Sequence, residues 1–342
     1  MLSAMATPTI VHSPLDMVFS NVYYKLDSFL VDNAVFLKLE GLNPAGSIKI
    51  KPAIEMLTDL ERRGVITPGK NHVIESSSGN LGIALSIACK IKGYRFTCVT
   101  DVNINKLAKR YIELYGGKVI VINKRDENGG FLNSRIEHIK SLLAEHPPYV
   151  WLNQYASPSN KLAHYKRTAA EIFAAFSRVD YLFVGAGTTG TLMGCGEYVK
   201  RHAPATKLIA VDAVGSVTFG LPPKKRHIPG LGTSRRPELL EPSLVDDLVV
   251  ISEPDTIAMC HEILAVEGLL VGGSTGTVLA GVRSYTGKIG RGKTVVAISP
   301  DFGDRYIETI YDRAWLNENF PSVQDDVPVS ARSFRYDSLT TV

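Results

Sequence analysis

Nine short runs rich in β-branched residues alternate with longer amphipathic stretches along this chain, and that rhythm limits what it can fold into. The runs lie at 35–38, 72–75, 95–100, 118–122, 149–152, 181–184, 207–211, 248–251 and 294–298. Helical spacing falls between and after them, at 51–63, 79–92, 106–115, 132–145, 160–176, 190–201, 254–267, 275–288 and 305–317. A strand, a helix and a further strand make a crossover that leaves the two strands parallel. The expected class is therefore α/β, with open, twisted, mostly parallel sheets and flanking helices. Nine strands exceed one comfortable sheet, and 342 residues suffice for two units, so two domains with a cleft between them are expected.

Charge and cysteine content exclude several functions. Lys and Arg number 38 against 34 Asp and Glu, an excess too slight to draw a nucleic acid or an anionic membrane. Cys89, Cys98, Cys195 and Cys260 lie far apart without a CxxC pair. They read as small buried apolar residues in a reducing cytoplasm, and no metal site is expected. The longest uncharged interior runs, 181–196 and 268–282, are too short to span a membrane. The first fifteen residues hold two prolines and no basic cluster, so a signal peptide is not expected.

Parallel sheets bind ligands where strands end and helices begin, so the junctions rich in Gly, Ser and Thr are the candidate sites. Gly185-Ala186-Gly187-Thr188-Thr189-Gly190-Thr191 follows the run 181–184. Its glycines allow a tight turn, and free amides at a helix start attract an anion. The spacing also fits the dinucleotide pattern GxGxxG, with Asp212 where a ribose-binding acid would stand, which keeps an NAD-dependent oxidoreductase open. Three threonine hydroxyls suit a terminal phosphate monoester better. Ser76-Ser77-Ser78-Gly79-Asn80-Leu81-Gly82 is a second junction, where Ser77, Ser78 and nearby amides offer donors to a carboxylate; a simple serine cap is the alternative. Gly272-Gly273-Ser274-Thr275-Gly276 is a third. In Asn43-Pro44-Ala45-Gly46-Ser47-Ile48-Lys49-Ile50-Lys51, a lysine stands at a helix start, the end where the dipole disfavours cations. Between two isoleucines Lys49 is expected to be partly desolvated, which favours the neutral, nucleophilic amine; Lys51 is expected to be an ordinary solvated lysine.

Together these loops resemble the fold-type II pyridoxal-phosphate enzymes, the superfamily of cysteine synthase and the tryptophan synthase β-subunit. NPAGSIK resembles N-P-x-G-S-x-K, which implies that Lys49 is the catalytic residue and carries pyridoxal 5'-phosphate as a Schiff base. The resemblance implies that Asn80 contacts the cofactor's 3-hydroxyl, that Gly187, Thr188, Thr189, Gly190 and Thr191 bind its phosphate, and that Ser274 faces its ring nitrogen. It assigns Ser77, Ser78 and Leu81 to the substrate carboxylate, and Asn153-Gln154-Tyr155, Asn160 and His164-Tyr165 to the lining of the substrate pocket. Pro300-Asp301-Phe302-Gly303-Asp304-Arg305-Tyr306 resembles the family's closing P-x-x-G-x-R-Y. The implied domains are a larger, cofactor-binding one (13–40 and 155–320) and a smaller, mobile one (41–154), with tails at 1–12 and 321–342.

A serine at the ring nitrogen leaves the ring a moderate electron sink, which favours β-elimination and β-replacement over transamination. Within the superfamily the chain is most similar to the siderophore branch, the N-(2-amino-2-carboxyethyl)-L-glutamate synthases, on segments such as GNLGIAL, NQYA, TTGTLMG, VDAVGSVTFG and IPGLGTSR. That branch implies O-phospho-L-serine and L-glutamate as small-molecule partners, a staphyloferrin B-like pathway and a cytoplasmic homodimer. It also points to Arg235, in G-T-S-R, for a phosphate leaving group. A cysteine synthase using O-acetylserine or O-phosphoserine is the alternative within the family. Ile50-Lys51, where cysteine synthases carry Asp-Arg, keeps a catalytically silent scaffold open.

Overall fold

A computed structural model describes residues 10–126 and 130–323; most of the two expected tails, at 1–9 and 324–342, lies outside the described residues. The nine expected strands form, with one more before them. They are β1 (Tyr23–Leu26), β2 (Ala34–Leu39), β3 (His72–Ser76), β4 (Arg95–Asp101), β5 (Lys118–Ile122), β6 (Tyr149–Trp151), β7 (Tyr181–Gly185), β8 (Lys207–Ala213), β9 (Asp247–Ile251) and β10 (Thr294–Ser299). The additional β1 is an amphipathic edge strand, antiparallel to β2 with Tyr23 opposite Lys38. All other pairings are parallel.

Two sheets result, β1-β2-β10-β7-β8-β9 and β5-β4-β3-β6. Central strands such as β7 and β10 are nearly continuous apolar runs because both their faces are covered by helices. The larger sheet packs Leu37, Phe183, Val211 and Val295 against one side, and Leu182, Val184, Ala210 and Ile298 against the other. The smaller sheet centres on Val73, Leu85, Phe96 and Ile112. All four cysteines are buried and unpaired, as expected.

The helices are α1 (Ile50–Arg62), α2 (Asn80–Lys92), α3 (Lys106–Leu114), α4 (Leu132–Glu145), α5 (Pro158–Ala163), α6 (Ala170–Ala175), α7 (Gly190–His202), α8 (Glu253–Glu267), α9 (Gly273–Ser284) and α10 (Arg313–Asn319). Two differ from the sequence expectation. The stretch 160–176 is split by a π-helical turn, His164–Ala169, between α5 and α6. The stretch 305–317 is a 3-10 turn, Gly303–Tyr306, followed by α10, because Tyr306 and Ile310 are drawn into the core and Asp312 caps a fresh helix.

From β7 the chain advances outward through β8 and β9, then returns to place β10 on the other side of β7. Strand order reverses there, and the carboxyl ends of β7 and β10 open the crevice in which ligands of such sheets bind.

Candidate active site

Lys49 caps the start of α1 on a loop tied down at several points. Asn43 Nδ2 donates to the carbonyls of Glu40 (2.8 Å) and Ser47 (3.0 Å), Ile48 N donates to Pro300 O at 2.7 Å, and Arg305 donates to Ala45 O. Among the described residues the Lys49 side chain makes no hydrogen bond or ion pair, while its carbonyl accepts from Ala53 N at 3.1 Å. Burial lowers its pKa, and the nearby Asp301 carboxyl only partly offsets this, a shift towards the neutral amine in the expected direction.

Lys51 overturns its expectation. It is 1% exposed, and its three protons go to Glu40 Oε1 (2.9 Å), Glu171 Oε2 (2.9 Å) and Thr168 Oγ1 (3.2 Å). Lys38, fully buried, reaches Glu171 at 2.8 Å and lies 3.8 Å from Glu40. Nothing beside it in the sequence marks this burial, because its two carboxylate partners come from elsewhere in the chain.

Asp301, just after β10, is the residue whose role sequence reasoning missed, although it stood inside a recognised motif. Asn80 Nδ2 donates to its Oδ2 at 2.6 Å, Tyr306 OH donates to the same oxygen at 2.8 Å, and Ser274 Oγ lies 3.5 Å from Oδ1. Burial raises its pKa, against the pull of those donors and of Arg305. Asn80 is held from its other side by Arg305, which donates to its Oδ1. Lys49, Asn80 and Ser274 are thus gathered around one buried carboxyl.

The glycine loop turns from β7 into α7. Thr189 has φ 65°, a left-handed conformation rare for a threonine, and its Oγ1 is buried without a partner. Asn160, buried behind the loop, donates to Thr188 Oγ1 at 3.3 Å, and any side chain at position 190 would collide with it. A strained loop at a helix start, with an orphaned buried hydroxyl, is built for a ligand rather than for turning alone.

Ser77 accepts from Gly79 N (3.3 Å) and Gly82 N (3.0 Å), so it does cap the start of α2; Ser78 beside it is half-buried and Leu81 is buried. Gln154 is buried, with Nε2 donating to Ser76 O at 2.9 Å. Tyr155 is half-buried, and Arg135, Arg235 and Arg226 all lie within electrostatic reach of it. Arg135 and Arg226 carried no sequence signal; Arg135 is 9% exposed, lies 3.5 Å from Asp101, and its Nε is buried without a partner. Arg235 pairs with Glu238, whereas Arg236 is exposed. The His164-Tyr165 expectation is corrected. His164 is sealed behind the glycine loop, and Tyr165 packs away from it against Tyr198 and His202.

Glu75, ahead of the serine loop, is fully buried and accepts from Ser76 N (2.8 Å), Trp151 Nε1 (3.2 Å) and Gln154 N (3.2 Å). Burial outweighs those donors and pushes its pKa to about 7.

A family model for "Pyridoxal-phosphate dependent enzyme" matches residues 23–301. The chain belongs to that family. It is 42% identical over 283 residues to an N-(2-amino-2-carboxyethyl)-L-glutamate synthase of Ralstonia nicotianae, covering 82% of this chain and 83% of the relative. To the synthase of that name from Cupriavidus metallidurans it is 41% identical over 289 residues, covering 83% and 84%. Among solved structures, an O-acetylserine dependent cystathionine beta-synthase from Helicobacter pylori superposes with a TM-score of 0.83 at 27% identity, covering 89% of this chain and all of that one. The protein is a pyridoxal-phosphate dependent enzyme of the β-replacement class.

The residues fit that cofactor. Lys49 offers an amine that burial shifts towards its uncharged form for its aldehyde carbon, and the orphaned Thr189 hydroxyl with the α7 start offers donors for its phosphate. The dinucleotide reading fails on the family match and on geometry, since Asp212 is fully buried, accepts from Ala213 N, and presents no open carboxylate to a ribose. No helix among the described residues is long and apolar enough to cross a membrane.

Proposed function

We propose that this enzyme joins O-phospho-L-serine to L-glutamate, releasing phosphate and N-(2-amino-2-carboxyethyl)-L-glutamate, as a cytoplasmic homodimer supplying a siderophore precursor. The observation that carries this reading is the Arg235 guanidinium 5.9 Å from the Tyr155 ring centre, with Arg135 and Arg226 adding positive charge around Tyr155 and the buried Glu75 opposing it. A phosphorylated donor and a dicarboxylate nucleophile together bring several negative charges, which planar guanidinium forks match. A sulfide-using enzyme with a neutral acetyl donor needs no such cluster. The names of the two relatives support the same choice.

The bound cofactor supplies an electron sink that acidifies the Cα proton of the donor amino acid. Lys49, shifted towards its neutral form by burial, takes that proton and later returns it to Cα. The Cβ–O bond breaks as phosphate leaves, and glutamate's amine nitrogen forms the new bond to Cβ, losing its proton. Ser77, Ser78 and the amides up to Leu81 hold the donor's carboxylate, Gln154 and Tyr155 border it, and Arg235 meets the leaving phosphate. Residues 187–191 would hold the cofactor's phosphate, Asn80 would turn towards its 3-hydroxyl, and Ser274, whose Oγ lies 3.5 Å from Asp301 Oδ1, would turn its proton to the ring nitrogen. Segment 41–154 moves as a unit towards the rest of the chain when the carboxylate binds, excluding water from the reacting carbons.

Mass spectrometry of products from O-phosphoserine or O-acetylserine, each with glutamate or sulfide, tests the reading. The glutamate adduct formed from O-phosphoserine is expected as the main product. Cysteine formed faster than that adduct would assign the enzyme to cysteine synthesis instead.

A further inference from the structure

A continuous line of buried polar atoms runs from the ion-paired core to the glycine loop. Lys51 Nζ lies 3.2 Å from Thr168 Oγ1, which lies 3.0 Å from His164 Nδ1, while His164 Nε2 lies 3.2 Å from Thr191 Oγ1. Lys51, Thr168 and His164 are each at most 1% exposed, and Thr191 is half-buried at the loop's end. The π-helical turn His164–Ala169 carries both middle members. It sits close against α7, because a side chain at position 194 would strike Lys161 O and His164 Cβ.

The polarity of this line follows from its first member. An ammonium can only donate, so Thr168 must accept from Lys51. The single proton of Thr168 then goes to its other neighbour, His164 Nδ1. An imidazole accepting at Nδ1 carries its own proton at Nε2 and donates it to Thr191. Burial, reinforced by the charge of Lys51, keeps His164 neutral, as this arrangement requires.

We propose that Lys51, Thr168 and His164 are positioning residues that orient the Thr191 hydroxyl as an obligatory hydrogen-bond donor towards the cofactor's phosphate. Each member has its proton direction set by the one before, and Thr191, already accepting from His164, has its one proton left for an anion in the loop. The fixed charge at the head of the line thus reaches the phosphate through three neutral side chains, Thr168, His164 and Thr191. The inference rests on the assignment of residues 187–191 to that phosphate.

Apoenzyme titrated with pyridoxal 5'-phosphate and, separately, with pyridoxal tests both. If the loop binds the phosphate, the wild type prefers the phosphorylated form; equal affinities would overturn the loop assignment and the relay with it. Given that preference, Thr168→Val is expected to weaken pyridoxal 5'-phosphate about tenfold and pyridoxal less than about twofold, with Thr168→Ser restoring the affinity. An unchanged preference in Thr168→Val, or equal losses for both compounds, would overturn the relay alone. Nitrogen-15 spectra of wild-type holoenzyme decide independently of how the variants fold. His164 protonated at Nε2 is the expected tautomer, and protonation at Nδ1 would overturn the proposal.

Discussion

Buried charge is handled in opposite ways on the two sides of the α1 start. On the core side Lys38, Glu40, Lys51 and Glu171 pair with one another, and although burial works against it, the two lysines hold the Glu171 carboxyl below its ordinary pKa. On the cleft side Lys49, Glu75 and Asp301 have no partner of opposite charge within ion-pair distance among the described residues, and all three shift towards their neutral forms. Lys49 and Lys51 stand two positions apart on one helix turn, so helix propensity does not separate them. The difference is whether carboxylates arrive from elsewhere. Paired charges make structure, and unpaired ones leave groups poised to exchange protons.

The largest effect should come from the cleft side. Lys49→Ala removes the amine that holds the cofactor and moves the Cα proton, and turnover should fall by at least about a thousandfold. The visible absorbance band of the lysine-bound cofactor should vanish while the melting temperature of the apoenzyme stays close to wild type. Because Lys49 has no ion pair to lose, a variant that fails to fold would break the contrast.

Lys51→Met should do the reverse, acting on stability first. It leaves Glu40, 1% exposed and already with one partnerless oxygen, facing only a lysine 3.8 Å away. Urea unfolding is expected to show a loss of about 3 kcal/mol, the scale of a broken buried pair. Adding Glu40→Gln should recover part of it, because the stranded charge is then gone. A double variant weaker than the sum of the singles would show that the four groups do not act as one network.

Glu75 offers a test through pH. Its folded-state pKa of about 7 lies above the ordinary value of 4.5, so the native chain binds more protons than the unfolded one between them. Its contribution to stability is therefore full below the lower value and is lost as pH rises through the upper one. Asp212, pushed by burial to about 6, adds a smaller slope of the same sign. Unfolding free energy should fall by on the order of 4 kcal/mol between about pH 5 and about pH 8. Glu75→Gln should flatten most of that slope, whatever it does to the absolute value; an equally steep slope in the variant would return Glu75 to the paired class.

What could be read from the sequence was what depends on neighbours along the chain. β-branched runs place nine strands, and glycine- and serine-rich junctions place Lys49, Ser77, Thr189 and Ser274 at strand ends where the sheets open. What escaped depends on distant partners. The burial of Lys51 needs Glu40 eleven residues away and Glu171 one hundred and twenty away. The π-helical turn depends on close packing against α7, and Arg135 and Arg226 approach Tyr155 only in the folded chain. Asp301 lay in plain view within a motif; its weight came from Asn80, Ser274 and Tyr306 folding around it.

Arg235 stands between the two classes and should give the smallest effect. It is paired, but with Glu238 on a side chain that is 44% exposed, and its own side chain is 27% exposed with the guanidinium 5.9 Å from the Tyr155 ring centre. A pair so placed contributes little to folding, so Arg235→Ala should change stability by less than about 1 kcal/mol. For the same reason its attraction for a leaving phosphate is already partly spent on Glu238. The loss in kcat/KM for O-phosphoserine should be about fivefold to tenfold, below that of a fully desolvated arginine. O-acetylserine, with no phosphate to meet, should turn over as before, and Glu238→Gln should improve O-phosphoserine slightly by freeing the guanidinium. Equal losses for both donors in Arg235→Ala would mean that the arginine supports Tyr155 rather than the leaving group, and the anion-collecting end of the cleft would then rest on Arg135 and Arg226.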